Sequence, residues 1–155
     1  MNYNIIYDNN RFSECKIDLE NADSLITPIS DEVFSSIIGC IHSVGNTVIF
    51  DEDDITESDV NWERIFRFTN NYTGYEIGCN EFTIPIEKVE NISIYLLAVN
   101  FLERLKNKFS NIEFVVYFIV KNQNLEFRFH VFREDEGFWI SNFKDIKYSL
   151  LCIKG

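Results

Sequence analysis

Asn91-Ile-Ser-Ile-Tyr-Leu-Leu-Ala-Val-Asn-Phe-Leu-Glu-Arg-Leu-Lys-Asn-Lys-Phe109 and the two apolar runs after it decide the fold. In this stretch Ile92, Tyr95, Leu96, Val99, Leu102, Leu105 and Phe109 recur at helical spacing and line one face of an amphipathic helix over about 90–109. Lys106 and Lys108 fall in its last turn, where the helix dipole favours cations. Phe114-Val-Val-Tyr-Phe-Ile-Val120 and Leu125-Glu-Phe-Arg-Phe-His-Val-Phe-Arg133 follow, separated by Lys121-Asn-Gln-Asn124. β-Branched and aromatic runs about a short polar patch make a hairpin. Leu125, Phe127, Phe129 and Val131 alternate with Glu126, Arg128, His130 and Phe132, so one face of the second strand is buried and the other mostly wet. The first run is apolar on both faces, as a central strand covered on both sides would be.

Working outward, Ser30-Asp-Glu-Val-Phe-Ser-Ser-Ile-Ile-Gly-Cys-Ile-His42 reads as a shorter helix over about 30–43. Ser30 would cap it, Val33, Phe34, Ile37, Ile38 and Ile41 would face inward, and Gly45-Asn46 would end it. His42 then sits near its C-terminus. Tyr3–Tyr7 and Phe12–Leu19 suggest an N-terminal hairpin across Asp8-Asn-Asn10, and Asn21–Ser24 another turn. Thr47–Phe50 is a short strand. Residues 58–69 admit a short helix capped by Ser58 or a strand from about Ile65 pairing with Gly74–Gly78. The turn-like Asn70-Asn-Tyr-Thr-Gly74 favours the strand. Glu81–Ile84 adds an extended piece before Pro85. Phe138–Ile140, Asn142–Tyr148 and Ser149–Ile153 read as strand, turn or short helix, and closing strand. The expectation is a single α+β domain over 1–155, two helices packed on an antiparallel sheet.

At 155 residues and 46% apolar, the chain can bury a core without staples. It carries no apolar run of transmembrane length, and its first residues lack the basic and apolar regions of a signal peptide, so a cytoplasmic protein is expected. Cys15, Cys40, Cys79 and Cys152 form no CxxC pair and read as reduced, core-like thiols. No cofactor or metal is implied.

Charge is the more informative property. The net charge is −11, and residues 1–60 hold thirteen acids against Arg11 and Lys16, whereas residues 61–155 hold twelve of each sign. Such a chain repels phosphates and anionic membranes and attracts a basic partner. The densest run is Asp51, Glu52, Asp53, Asp54, Glu57 and Asp59. Counted from Asp51, an EF-hand loop would need Gly and Glu where Thr56 and Trp62 stand, so calcium binding does not fit. These six carboxylates, with Trp62 as a possible aromatic anchor, are the candidate partner-binding residues. Glu134–Gly137 reads as plain acidic surface and Trp139 as core. Neither His130 nor His42 has a nucleophile that spacing would bring to it. No GxSxG, P-loop, GxGxxG or HExxH motif occurs, so nothing argues for an enzyme.

Arg128-Phe-His-Val-Phe-Arg-Glu-Asp-Glu-Gly-Phe-Trp-Ile140, followed by Asp145-Ile-Lys-Tyr-Ser-Leu-Leu-Cys-Ile153, resembles the tails of small acidic immunity proteins from bacterial contact-dependent growth inhibition and polymorphic-toxin systems. The likeness covers about a sixth of the chain and its motif is loose. It implies a non-enzymatic inhibitor that binds the C-terminal domain of its cognate toxin, a nuclease or other effector, and blocks its active site or substrate groove. The alternatives are an acidic regulator or nucleic-acid mimic with another basic partner, and a small enzyme without a recognisable motif.

Overall fold

The computed structural model describes residues 2–14, 28–89 and 93–155. Among these residues seven strands and four α-helices follow one another: β1 (Asn4–Asp8), α1 (Pro28–Gly39), β2 (Ile41–Val44), β3 (Thr47–Phe50), α2 (Trp62–Thr69), α3 (Tyr72–Cys79), β4 (Glu81–Pro85), α4 (Ile94–Lys108), β5 (Phe114–Lys121), β6 (Asn124–Val131) and β7 (Ser149–Lys154). The chain is a single α+β domain. Five strands form an antiparallel sheet in the order β1-β7-β5-β6-β4, and β2 and β3 form a separate hairpin.

The expected hairpin is β5–β6, in register from Phe114 opposite Val131 to Lys121 opposite Asn124. Its two-residue turn places both Asn122 (φ 50°) and Gln123 (φ 61°) in the left-handed region, the geometry of a type I′ turn. β5 is the central strand, buried from Phe114 through Ile119 because both faces are covered. On one face Phe118, Phe127 and Phe129 pack beneath Phe101 of α4, with Phe34 of α1 beside them. α4 is buried more widely than one stripe predicts, since Leu97, Ala98 and Phe101 are as inaccessible as Leu102 and Leu105. α1 and the β2–β3 hairpin lie over this side of the sheet and complete the layer above it. On the other face Val115, Tyr117, Leu150 and Cys152 are covered by Phe132, Phe138, Ile140, Phe143 and Ile146 of the segment between β6 and β7.

Several expectations are corrected. α1 starts at Pro28, which suits a first helical turn because its missing N–H is no loss there. It stops at Gly39. Ile41 and His42 belong to β2, and Gly45-Asn46 is the β2–β3 turn, with Gly45 at φ 58°. β1 pairs with β7, and most of the second arm of the expected N-terminal hairpin falls outside the described residues. Asp8 accepts from the N–H groups of Asn10, Phe12 and Ser13 and turns the chain into a 3₁₀ turn at Phe12–Glu14. Cys15, residues 15–19, the turn at 21–24 and Ile92 lie outside the described residues.

The strand favoured from Ile65 is instead helix α2, and Gly74–Gly78 lies in helix α3. The Asn70-Asn71 pair does turn the chain, but between helices: Asn70 closes α2 at φ 64°, and the Asn71 side chain caps α3 by accepting from the Gly74 N–H. A Cβ on Gly74 would lie 2.4 Å from the Thr69 carbonyl oxygen, so the corner requires glycine there. Phe138–Ile140 forms no strand; the segment runs across the sheet as an irregular cover.

Candidate protein-interaction surface

The acidic run leaves β3 as a loop ordered by two of its own carboxylates. Asp51 accepts from the N–H groups of Asp53 (3.1 Å) and Ile55 (2.7 Å), and its Oδ2 lies 3.4 Å from Nε2 of His42. His42 thus faces the loop, not a helix end. Asp54 takes a left-handed conformation at φ 52°. At the far end Asp59 accepts from both the N–H and the hydroxyl of Thr56, each at 2.8 Å, and these bonds hold its carboxyl below the usual range. Asp51 and Asp59 are therefore occupied in shaping the loop. Glu52, Asp53, Asp54 and Glu57 are exposed, and no ion pair or side-chain hydrogen bond engages their carboxylates among the described residues. Glu57 lies across the Gly45 turn, where a Cβ would come within 2.9 Å of its Oε1.

Trp62 opens α2 and is half-buried. Its ring packs against Phe66, Tyr72 and Tyr75 at centroid distances of 5.4–5.9 Å, within the corner between α2 and α3. The fold thus gathers the seven candidate residues onto one continuous stretch but divides their duties. Four carboxylates point outward, two order the loop, and Trp62 ties it to the helical corner.

Sequence reasoning missed the polar clip beneath that corner. Glu76, on α3, is wholly buried and accepts from the N–H groups of Val48 on β3 (2.8 Å) and Val131 on β6 (2.9 Å). Arg133 donates to both of its oxygens at 2.9 Å. Burial pushes the Glu76 carboxyl upward, and Arg133 with the two N–H groups opposes that push. Every one of these partners is a donor, so the ionised form fits the site at neutral pH. One turn on, buried Asn80 accepts from the Phe50 N–H (2.7 Å) and donates to the carbonyls of Val48 (2.9 Å) and Phe129 (3.2 Å). Glu136 is not plain surface: it accepts from the N–H groups of Tyr72 and Thr73 and caps α3 from a distance in sequence.

His130, expected as a surface or packed histidine, is packed, whereas Trp139 departs from its expected place in the core. His130 is fully buried and stacked on Tyr117. Its Nδ1 lies 2.8 Å from the Val131 carbonyl oxygen and its Nε2 lies 3.0 Å from the Tyr117 hydroxyl, which accepts the Trp139 N–H at 3.0 Å. A proton on Nδ1 satisfies the whole chain, with Tyr117 donating to Nε2. Trp139 is no core residue: 36% of it is exposed, with its ring edge-on to Tyr117 and beneath the Arg128 guanidinium. Of the cysteines, Cys152 is buried, whereas Cys40 and Cys79 are partly exposed, and these three are free thiols.

Fold and surface together define an acidic α+β domain built on a five-stranded antiparallel sheet and carrying an ordered loop of outward carboxylates. The chain belongs to the Uncharacterized protein PM0498 family, whose model matches residues 12–153. No curated protein and no solved structure matches it. Among the described residues no helix is long and apolar enough to cross a membrane.

Proposed function

We propose that this chain is an immunity protein that binds a cognate bacterial toxin domain and neutralises it by covering its active site or substrate groove. The observation that carries this reading is the loop at 51–59. Two of its carboxylates hold its shape while Glu52, Asp53, Asp54 and Glu57 face solvent. Ordering like charges on a fixed loop is unfavourable in isolation and becomes favourable against a basic surface. A toxin domain that handles nucleic acid presents such a surface, and the tail at 128–153 resembles immunity proteins of that kind. On this reading the chain is a binder, not an enzyme, and acts in the cytoplasm of the cell that makes the toxin.

Co-production with the polypeptide encoded directly upstream tests it. The expected result is a one-to-one complex that suppresses the neighbour's toxicity and weakens steeply with salt. Reversing Glu52, Asp53, Asp54 and Glu57 to Lys together should weaken that complex while the fold persists. No complex and no protection would discard the reading.

A further inference from the structure

Four large apolar side chains are conspicuously exposed among the described residues, and three of them share one face. Phe68, on the outer side of α2, is 81% exposed. It lines a cleft of about 350 Å³ with Asn71, Glu136, Phe138 and Trp139. Trp139 also lines a larger cleft of about 650 Å³ together with Tyr148, which is 45% exposed. Phe68, Trp139 and Tyr148 thus form one run of aromatic surface across two adjoining clefts. The larger cleft arises because the 138–148 segment covers the β5–β7 side of the sheet and leaves the polar side chains of β4 and β6 uncovered.

Two of the three rings are held in place. The Trp139 backbone is bonded to Tyr117, and its ring is fixed between Tyr117 and Arg128. Tyr148 lies under Lys121, whose Nζ is 4.5 Å from the ring centre. Rigid aromatic anchors lose little freedom on binding, and exposed clusters of this kind mark interaction surfaces. Charge indicates the occupant: the chain carries a net −11. On this face Arg128 is held by Glu81 (2.7 Å) and Glu126 (2.8 Å) and Arg67 by Glu63 (2.6 Å), while Lys121 lies over the Tyr148 ring and Arg64 stands exposed beside Phe68. At its other end Phe68 shares a groove with Asn61, Glu63, Arg64 and Arg67, and Asn61 caps α2 two positions after Asp59, the last carboxylate of the acidic loop.

We propose that the Phe68–Trp139–Tyr148 face is the apolar centre of the surface on which the basic partner protein docks, with the carboxylates of 51–59 as its charged rim. This rests on the toxin-binding reading and moves the aromatic anchor from Trp62 to Phe68 and Trp139.

The test measures affinity for the upstream-encoded polypeptide by calorimetry at two salt concentrations, with circular dichroism as the check on folding. Phe68→Ala and Tyr148→Ala remove exposed rings and should leave the fold intact. Each is expected to raise Kd at least ten-fold with the salt dependence retained. Arg64→Glu, which removes an exposed cation from the groove beside Phe68, should tighten binding about two-fold at low salt. Unchanged Kd in both ring variants, alongside loss of affinity on reversing Glu52, Asp53 and Asp54, would overturn this proposal and leave the toxin-binding reading standing. Weaker binding by Arg64→Glu would overturn the basic character of the occupant. A wild-type dimer, present without the partner and dissolved by Phe68→Ala, would assign the face to a second copy and overturn the proposal. Failure of the wild-type chain to bind at all would overturn both readings.

Discussion

Glu76 and Arg133 form an ion pair with both carboxylate oxygens 2.9 Å from guanidinium nitrogens, and the carboxylate half is fully buried. The pair does more than join two side chains. β3 and β6 lie side by side without a strand ladder, and Glu76 supplies the acceptors that the N–H groups of Val48 and Val131 would otherwise lack. Asn80 likewise accepts from the Phe50 N–H and donates to the Val48 carbonyl. Helix α3 thus attaches the β2–β3 hairpin, and with it the root of the acidic loop, to the main sheet through two polar side chains.

Breaking one side of the pair should therefore be costly. Glu76→Ala leaves Arg133 and two N–H groups without their partner, and a loss of about 3–5 kcal/mol is expected. Arg133→Ala should fall in the same range, and the double variant should lose clearly less than the two single losses combined. Urea unfolding followed by Trp fluorescence gives all three values. A loss below about 1 kcal/mol for Glu76→Ala would show that the clip does not hold the hairpin.

The division of duties within the acidic loop makes a second prediction. Asp51→Ala removes two N–H acceptors and the neighbour of His42, and should cost about 1–2 kcal/mol. Glu52→Lys, Asp53→Lys and Asp54→Lys should each stay within about 0.5 kcal/mol of the parent, because their side chains face solvent. Thermal unfolding separates the two groups. Equal effects across all four positions would mean that Asp51 has no special part in shaping the loop.

Elements whose pattern is local were legible from sequence: the 94–108 helix, the β5–β6 hairpin, and the central place of β5, whose two apolar faces require cover. The helical corner at 62–79 was not, because its signals compete. Asn70, Asn71 and Gly74 are good turn residues, and their preference is met within a two-residue break between helices. Glu76 carried a faint mark, a lone charge in Tyr72-Thr-Gly-Tyr-Glu-Ile-Gly-Cys79, but its partner lies 57 residues away. The six acids of the loop were found by density alone, which could not tell Asp51 and Asp59 from the four that point outward. Phe68 and Trp139 read as ordinary apolar positions, since exposure depends on which neighbours the fold brings near.

His130 predicts a pH dependence. Burial depresses its pKa from 6.5 to about 4, and the Nδ1 bond to Val131 offsets part of that. Between those values the unfolded chain binds a proton that the folded chain does not, so stability falls as pH falls through this window. The loss is absent well above pH 6.5 and reaches about 3 kcal/mol by pH 4. His130→Asn keeps a donor near Nδ1 without the titration. Its stability should be lower at neutral pH and flatter than wild type between pH 6.5 and 4.5, measured by urea unfolding at fixed ionic strength. Parallel curves would exclude His130 as the source of the slope.

The β5–β6 turn can be improved. Asn122 tolerates its φ of 50°, since a short amide side chain can bond locally, but Gln123 at φ 61° carries a longer side chain in the left-handed region. A type I′ turn accommodates Asn followed by Gly best. Gln123→Gly relieves the backbone strain, while the greater freedom of glycine in the unfolded chain offsets part of the gain. The net expectation is a stabilisation of about 0.5–1 kcal/mol, read as a higher urea midpoint with an unchanged slope. The bond from the Ile86 N–H to the residue-123 carbonyl (2.9 Å) is made by backbone and survives the change. Gln123→Val should move the midpoint the other way, because a β-branched side chain fits least well at positive φ. If both variants lower it alike, the Gln123 side chain contributes something that the turn geometry alone does not account for.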